Sequence, residues 1–219
     1  MGVVGGPGPS DRPGGGAESG AGPGLGEGRR LVLARHGQTA WNAEGRFQGQ
    51  ADPPLDATGW AQAARLATEV TGLRPDVLVS SDLLRARQTA TVLSRACGLE
   101  IVFDSDLREI DLGGWEGLYQ HQAAERFPEE YRLWSEGGDP PRGGGETEAR
   151  AGTRAAASLH RIVDVAPGSA TVVVVSHGLV LRSAMGVLAE EGTIGPSDVP
   201  PHLGNGQWIA LEVAAAVAG

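Results

Sequence analysis

The sequence predicts an α/β fold, a three-layer sandwich in which a mainly parallel central sheet is flanked by helices. Two observations predict it. Short apolar runs of strand length alternate with stretches of helical length, the order that builds a parallel sheet with helices on its faces. Three of those runs stop at polar residues, Arg35-His36-Gly37, Ser80-Ser81-Asp82 and Ser176-His177-Gly178. In sheets of this kind ligands sit outside the carboxyl ends of the strands. No internal repeat competes with this reading.

Residues 31–34 form a first strand that ends at Arg35. Residues 56–72 read as a helix: Asp56 or Thr58 can cap it, Leu66 and Val70 stand at i, i+4 spacing, and Gly72 closes it. Residues 76–79 are a second strand, followed by a helix over 83–96 that Gly98 stops. A third strand covers 101–103, a helix 116–127, and a polar excursion interrupted by Gly and Pro runs over 128–145. A long Ala-rich helix spans 146–165 and ends at Pro167-Gly168. Residues 171–175 are β-branched throughout and read as a buried strand; a helix over 179–189 and a last strand over 208–213 follow.

The 219 residues suit one domain with a tail, and 40% of them are hydrophobic, enough for a core. The first 28 residues hold 12 Gly and 4 Pro with only Val3, Val4 and Leu25 as branched apolar side chains. Such a stretch cannot offset its ordering entropy, so residues 1–28 are expected to be a disordered tail and 29–219 the folded domain. No apolar run of signal length follows Met1, and none approaches the ~18 to 20 residues that cross a bilayer, so a cytoplasmic location without membrane partners is expected. The net charge of −9 argues against a nucleic-acid partner. All 18 basic residues are Arg, so no lysine can serve as a Schiff-base or phosphate-loop residue. The single Cys97 excludes an internal disulfide and a Cys-rich zinc site, and Phe103 stands where the Cys-five-residues-Arg loop of cysteine phosphatases needs its Arg.

What remains is a constellation. The first strand delivers Arg35 and His36, the second leads through Ser80-Ser81 to Arg85 at a helix start, and the fourth delivers His177. The segment Leu107-Arg108-Glu109 adds a carboxylate before the turn Gly113-Gly114. Two histidines, two arginines and a glutamate suit phosphoryl transfer through nitrogen. Planar guanidinium groups bind phosphoryl oxygens in bidentate fashion, which suits Arg35 and Arg85 to a clamp. Their charge also disfavours imidazolium and keeps His36 neutral and nucleophilic. Glu109 can protonate a departing alkoxide and then deprotonate water. Asp106, Asp111 and Glu116 lie near enough in sequence to supply that acid instead.

The segment LVLARHGQTAWN at 31–42 resembles the signature of the histidine phosphatase superfamily, in its phosphoglycerate-mutase-like branch. The likeness continues through Arg46-Phe47-Gln48-Gly49, SSDLLRARQTA at 80–90, LREIDLGGWEG at 107–117, Gly145-Glu146 and VVSHG at 174–178, in the family's order. The resemblance implies that His36 is phosphorylated, with Arg35, Arg85 and His177 completing the phosphate pocket. It further implies a phosphate hydrogen bond from Asn42, Gln48 and Gly49 lining the pocket nearby, Glu109 as proton donor, and neither metal nor other cofactor.

His121 and His160 read as solvent-facing helix residues, and His202 lies in a Pro-rich loop that could border the pocket. The tryptophans read as packing residues, with Trp115 and Trp134 also open to a role as pocket walls. Mutases of the family carry a longer insertion with extra basic residues, and Arg and Tyr just after the acid. Here Ile110-Asp111-Leu112 follows Glu109 and the excursion is short, so a phosphatase is expected rather than a mutase or a catalytically silent phospholigand-binding protein. The expected partner is a small phosphorylated metabolite, a sugar phosphate or phosphoglycerate derivative; a homodimer is allowed. The triplet Gly143-Gly144-Gly145 reads as a mobile stretch.

Overall fold

The structure is a computed structural model that describes residues 28–213. The expected tail, apart from Gly28, lies outside the described residues. Five strands form one sheet: β1 (Arg29–Arg35), β2 (Val77–Ser80), β3 (Ile101–Phe103), β4 (Thr171–Ser176) and β5 (Trp208–Val213), in the order β3-β2-β4-β1-β5. The pairs β3/β2, β2/β4 and β4/β1 are parallel, and β5 closes the edge antiparallel to β1.

Side chains alternate faces along a strand, and the core divides accordingly. Leu31, Leu33, Val172 and Val174 belong to one apolar cluster, while Val32, Ala34, Val173 and Val175 belong to the other. The first cluster is completed by α6 (Glu148–Val165) and α7 (Gly178–Glu190), the second by α2 (Ala57–Thr71) and α3 (Leu84–Cys97). Both faces of β1 and β4 are therefore covered, which explains why these strands read as unbroken apolar runs. Each fully buried Val contributes about 1.5–3 kcal/mol of transfer energy, so the central strands anchor whatever their ends carry.

The helices follow their caps. Asp56 accepts from Gly59 N at the start of α2, and Thr147 accepts from Arg150 N at the start of α6. Three elements depart from expectation. A short helix α1 (Ala40–Glu44) follows β1, fixed by a reciprocal box between Thr39 and Asn42. The helix expected over 116–127 is shorter, α4 (Gln120–Arg126). The excursion carries a helix of its own, α5 (Pro128–Ser135), with Pro128 in its first turn and Glu129 and Glu130 beside it. A proline in the first turn loses no helical hydrogen bond and carboxylates there complement the helix dipole, so Pro128 starts a helix rather than breaking one. Phe127, Tyr131 and Trp134 from this region pack around Trp115.

Candidate active site

Register builds the centre. Arg35 of β1 pairs with Ser176 of β4, so the next residues, His36 and His177, leave the sheet side by side with ring centroids 5.1 Å apart. His36 is 2% exposed and His177 is fully buried. Gly37 is required by the close approach of the chain to α2: a Cβ there would lie 2.3 Å from the Gly59 carbonyl oxygen.

His36 has a defined tautomer. Its Nδ1 lies 2.6 Å from the Gly37 carbonyl oxygen, and Arg85 Nε lies 3.2 Å from its Nε2. A carbonyl only accepts and a guanidinium only donates. Nδ1 therefore carries the proton, and Nε2 presents a lone pair. Burial, then the charges of Arg85 and Arg35, hold the His36 pKa well below the ordinary imidazole value. His177 is depressed in the same way by burial, Arg85, His36 and Arg35. Its Nε2 is 2.9 Å from Ser81 Oγ, while its buried Nδ1 has no hydrogen-bond partner among the described residues.

Arg85 stands in the first turn of α3, with Nη1 and Nη2 each 2.7 Å from a loop carbonyl, those of Ala51 and Gly49. Burial lowers its pKa to about 10, which leaves it charged. Arg35 donates Nη1 to the Leu203 carbonyl at 2.9 Å, while its buried Nε has no partner among the described residues. A Cβ at Gly178 would come within 3.0 Å of that guanidinium, so the glycine after His177 makes room for Arg35. Glu109 is held by the start of α7: its carboxylate accepts from Val180 N at 2.9 Å, Leu179 N at 3.3 Å and Ile110 N at 3.1 Å.

Arg35, His36, Arg85 and Glu109 open onto a cavity of about 340 Å³, lined at its inner end also by Gln48 and Gly49, whereas His177 is not among the lining residues. Of the four carboxylates that sequence left open as the acid, only Glu109 lines it. Asp106 pairs with Arg161, Asp111 accepts from Gly113 N, and Glu116 accepts from Gln50 N. Asn42 is not among the lining residues: its Oδ1 accepts from Thr39 N and from Asn205 Nδ2. Gln48 does line the cavity, accepting from Thr39 Oγ1 at 2.9 Å.

The outer part of the cavity was missed or only half seen in the sequence. Arg46, Phe47, Trp134, Arg142, Glu148 and Arg182 line it. Trp134 takes the wall position open to it, whereas Trp115 is fully buried core. His121 stacks on Tyr119, His160 pairs with Glu191 and His202 is exposed; none lines the cavity. Among the described residues no group of His, Cys, Asp or Glu is placed to hold a metal ion, and no helix is long and apolar enough to cross a membrane.

A model of the histidine phosphatase superfamily (branch 1) matches residues 31–215. Phosphoglycerate mutase-like protein 4 of Arabidopsis thaliana is 40% identical over 158 residues, 70% of this chain and 68% of that one. A mycobacterial glucosyl-3-phosphoglycerate phosphatase, solved in complex with VO3, superposes with a TM-score of 0.72 at 34% identity, covering 84% of this chain and 98% of that chain. The alpha-ribazole phosphatase from Shigella flexneri gives a TM-score of 0.70 at 25% identity, covering 85% and 95%.

Proposed function

The chain belongs to the histidine phosphatase superfamily (branch 1), and from that premise we propose that it hydrolyses small phosphomonoesters through a phosphohistidine at His36, without a metal, its catalytic unit being residues 29–219. The observation that carries the reading is the His36 tautomer: a buried neutral imidazole whose Nδ1 is held by the Gly37 carbonyl and whose Nε2 lone pair faces Arg85 Nε.

In the first step Nε2 forms a bond to phosphorus as the ester P–O bond breaks, and Glu109 gives its proton to the departing oxygen. The Arg85 Nε–H turns its hydrogen bond from Nε2 to a phosphoryl oxygen, and Arg35 Nε and His177 Nδ1, both without partners among the described residues, find acceptors on the same group. These donors, held by the fold, stabilise the charge on the phosphoryl oxygens. Gln48 and Gly49, which line the cavity, complete the binding of the transferred group, while the phosphate contact expected of Asn42 gives way to its bonds with Thr39 and Asn205. In the second step Glu109 takes a proton from water, the water oxygen bonds to phosphorus, and the P–N bond breaks to release phosphate.

A mutase reading is favoured by relatives named phosphoglycerate mutase or phosphoglycerate mutase-like. The test is phosphate release from p-nitrophenyl phosphate against isomerisation of 3-phosphoglycerate. Steady release of phosphate with no isomerised product supports the hydrolase. Isomerisation that responds to 2,3-bisphosphoglycerate would overturn it, and well-folded protein that turns over neither from pH 4 to 8 would make it a binding protein.

A further inference from the structure

We propose that Arg142 forms a second anion subsite in the outer part of the cavity, which takes a carboxylate carried by the phosphomonoester substrate. This rests on the proposed function and narrows its substrate class to phosphorylated carboxylic acids.

Arg142 lines the cavity and is only 3% exposed. Its Nε and Nη2 are buried and have no hydrogen-bond partner among the described residues. The other enclosed arginines show what a structural guanidinium does here. Arg85 donates to the carbonyls of Gly49 and Ala51. Arg154 donates to the carbonyls of Asp106 and Arg108 and to the Glu146 carboxylate. Arg142 lies as deep with donors to spare, and a buried guanidinium left without acceptors is costly.

The loop that presents Arg142 is fastened. Gly143 N donates to Glu130 Oε2 at 2.6 Å, and Glu146 N donates to the Asp111 carbonyl at 2.8 Å. Gly143, at φ +60°, packs so closely on the turn beyond Glu109 that a Cβ would lie 2.4 Å from Gly114 N. The glycine run is therefore a device for contact with the acid-bearing segment, not a slack linker. It sets Arg142 at a fixed place relative to Glu109.

Charge pairing selects the ligand. Around the outer cavity Arg182 is paired with Glu148, and Arg46 with Glu44. Glu148, Asp139 and Glu109 act on Arg142 through space, but none is hydrogen-bonded to it. One guanidinium with free donors, beside pairs already neutralised, matches a single negative charge held in bidentate fashion, which is a carboxylate rather than a second phosphate dianion.

The experiment compares 3-phosphoglycerate with glycerol 1-phosphate, alike but for the carboxylate, in kcat/KM for the wild-type chain and for Arg142→Met. The wild type is expected to favour the carboxylate by at least about tenfold, and the variant to bring that ratio close to one. A wild-type ratio near one, or an unchanged ratio in a folded variant, would overturn the subsite while leaving phosphatase activity intact. Calorimetric binding of the same two compounds to His36→Ala needs no turnover and reads the same preference, so the subsite stays testable if hydrolysis fails or Arg142→Met does not fold.

Discussion

The floor of the cavity and its outer wall are held by different physics. The floor depends on sheet register, since Arg35 pairs with Ser176 and thereby sets His36 beside His177. A slip of one residue would send the side chains fitted to one apolar cluster into the other and part His36 from His177, so that register is strongly fixed. The wall depends on contacts between loops: Gly143 against Gly114, Glu130 on Gly143 N, and Trp134 edge-on to Trp115. Reaction and selectivity are therefore separable in this protein. Changes at the floor should abolish turnover of every substrate, and changes at the wall should alter which substrate is preferred.

The largest effect belongs to the floor. His36→Ala should lower kcat by at least about a thousandfold on every phosphomonoester, the usual scale for a lost nucleophile. Turnover within tenfold of wild type would move the nucleophile elsewhere. Glu109→Gln should cost about 10² to 10⁴ in kcat on alkyl phosphates, whose leaving oxygen needs a proton. Its effect on p-nitrophenyl phosphate should be smaller, because that leaving group departs as a stable anion. Equal losses on both would make Glu109 a binding residue.

Acid should weaken the floor before the wall. The native pKa values of His36 and His177 are depressed, so as pH falls through the unfolded value of about 6.5 the unfolded chain binds protons that the native chain does not. Stability from this source is intact above that pH and declines below it, by at most about 1.4 kcal/mol per pH unit for each histidine, until the native groups protonate. Urea midpoints from pH 7 to 5 should fall less steeply in His177→Gln than in wild type, and parallel slopes would mean that His177 is charged in the native state. At the wall, Gly143→Ala should cost about 1–3 kcal/mol, because alanine meets both a left-handed backbone and the Gly114 amide. Its KM should rise by more than its kcat falls; an unchanged urea midpoint would show that the wall is not tied at this point.

The same division governs what the sequence revealed. Arg35-His36, Ser81 through Arg85, and His177 were legible because each follows a strand whose apolar run points to its own end. Glu109 was named as the acid with three neighbouring carboxylates left open beside it, since its place depends on amides from α7 some 70 residues later. Arg142 and Arg182 were not legible as pocket residues, because nothing local shows which arginine keeps free donors. Helix α5 was hidden by Pro128 and the glycines after it, and the role of Gly143 becomes visible only beside Gly114. The end of a strand can be read from its neighbours in sequence, but a contact between two loops cannot.

The most direct test of the account is to quench the enzyme during turnover of a ³²P-labelled phosphomonoester and map the labelled residue by mass spectrometry. An acid-labile, alkali-stable phosphoryl group on His36, absent from His36→Ala, is the predicted result. A label on any other residue, or one that persists in His36→Ala, would contradict it.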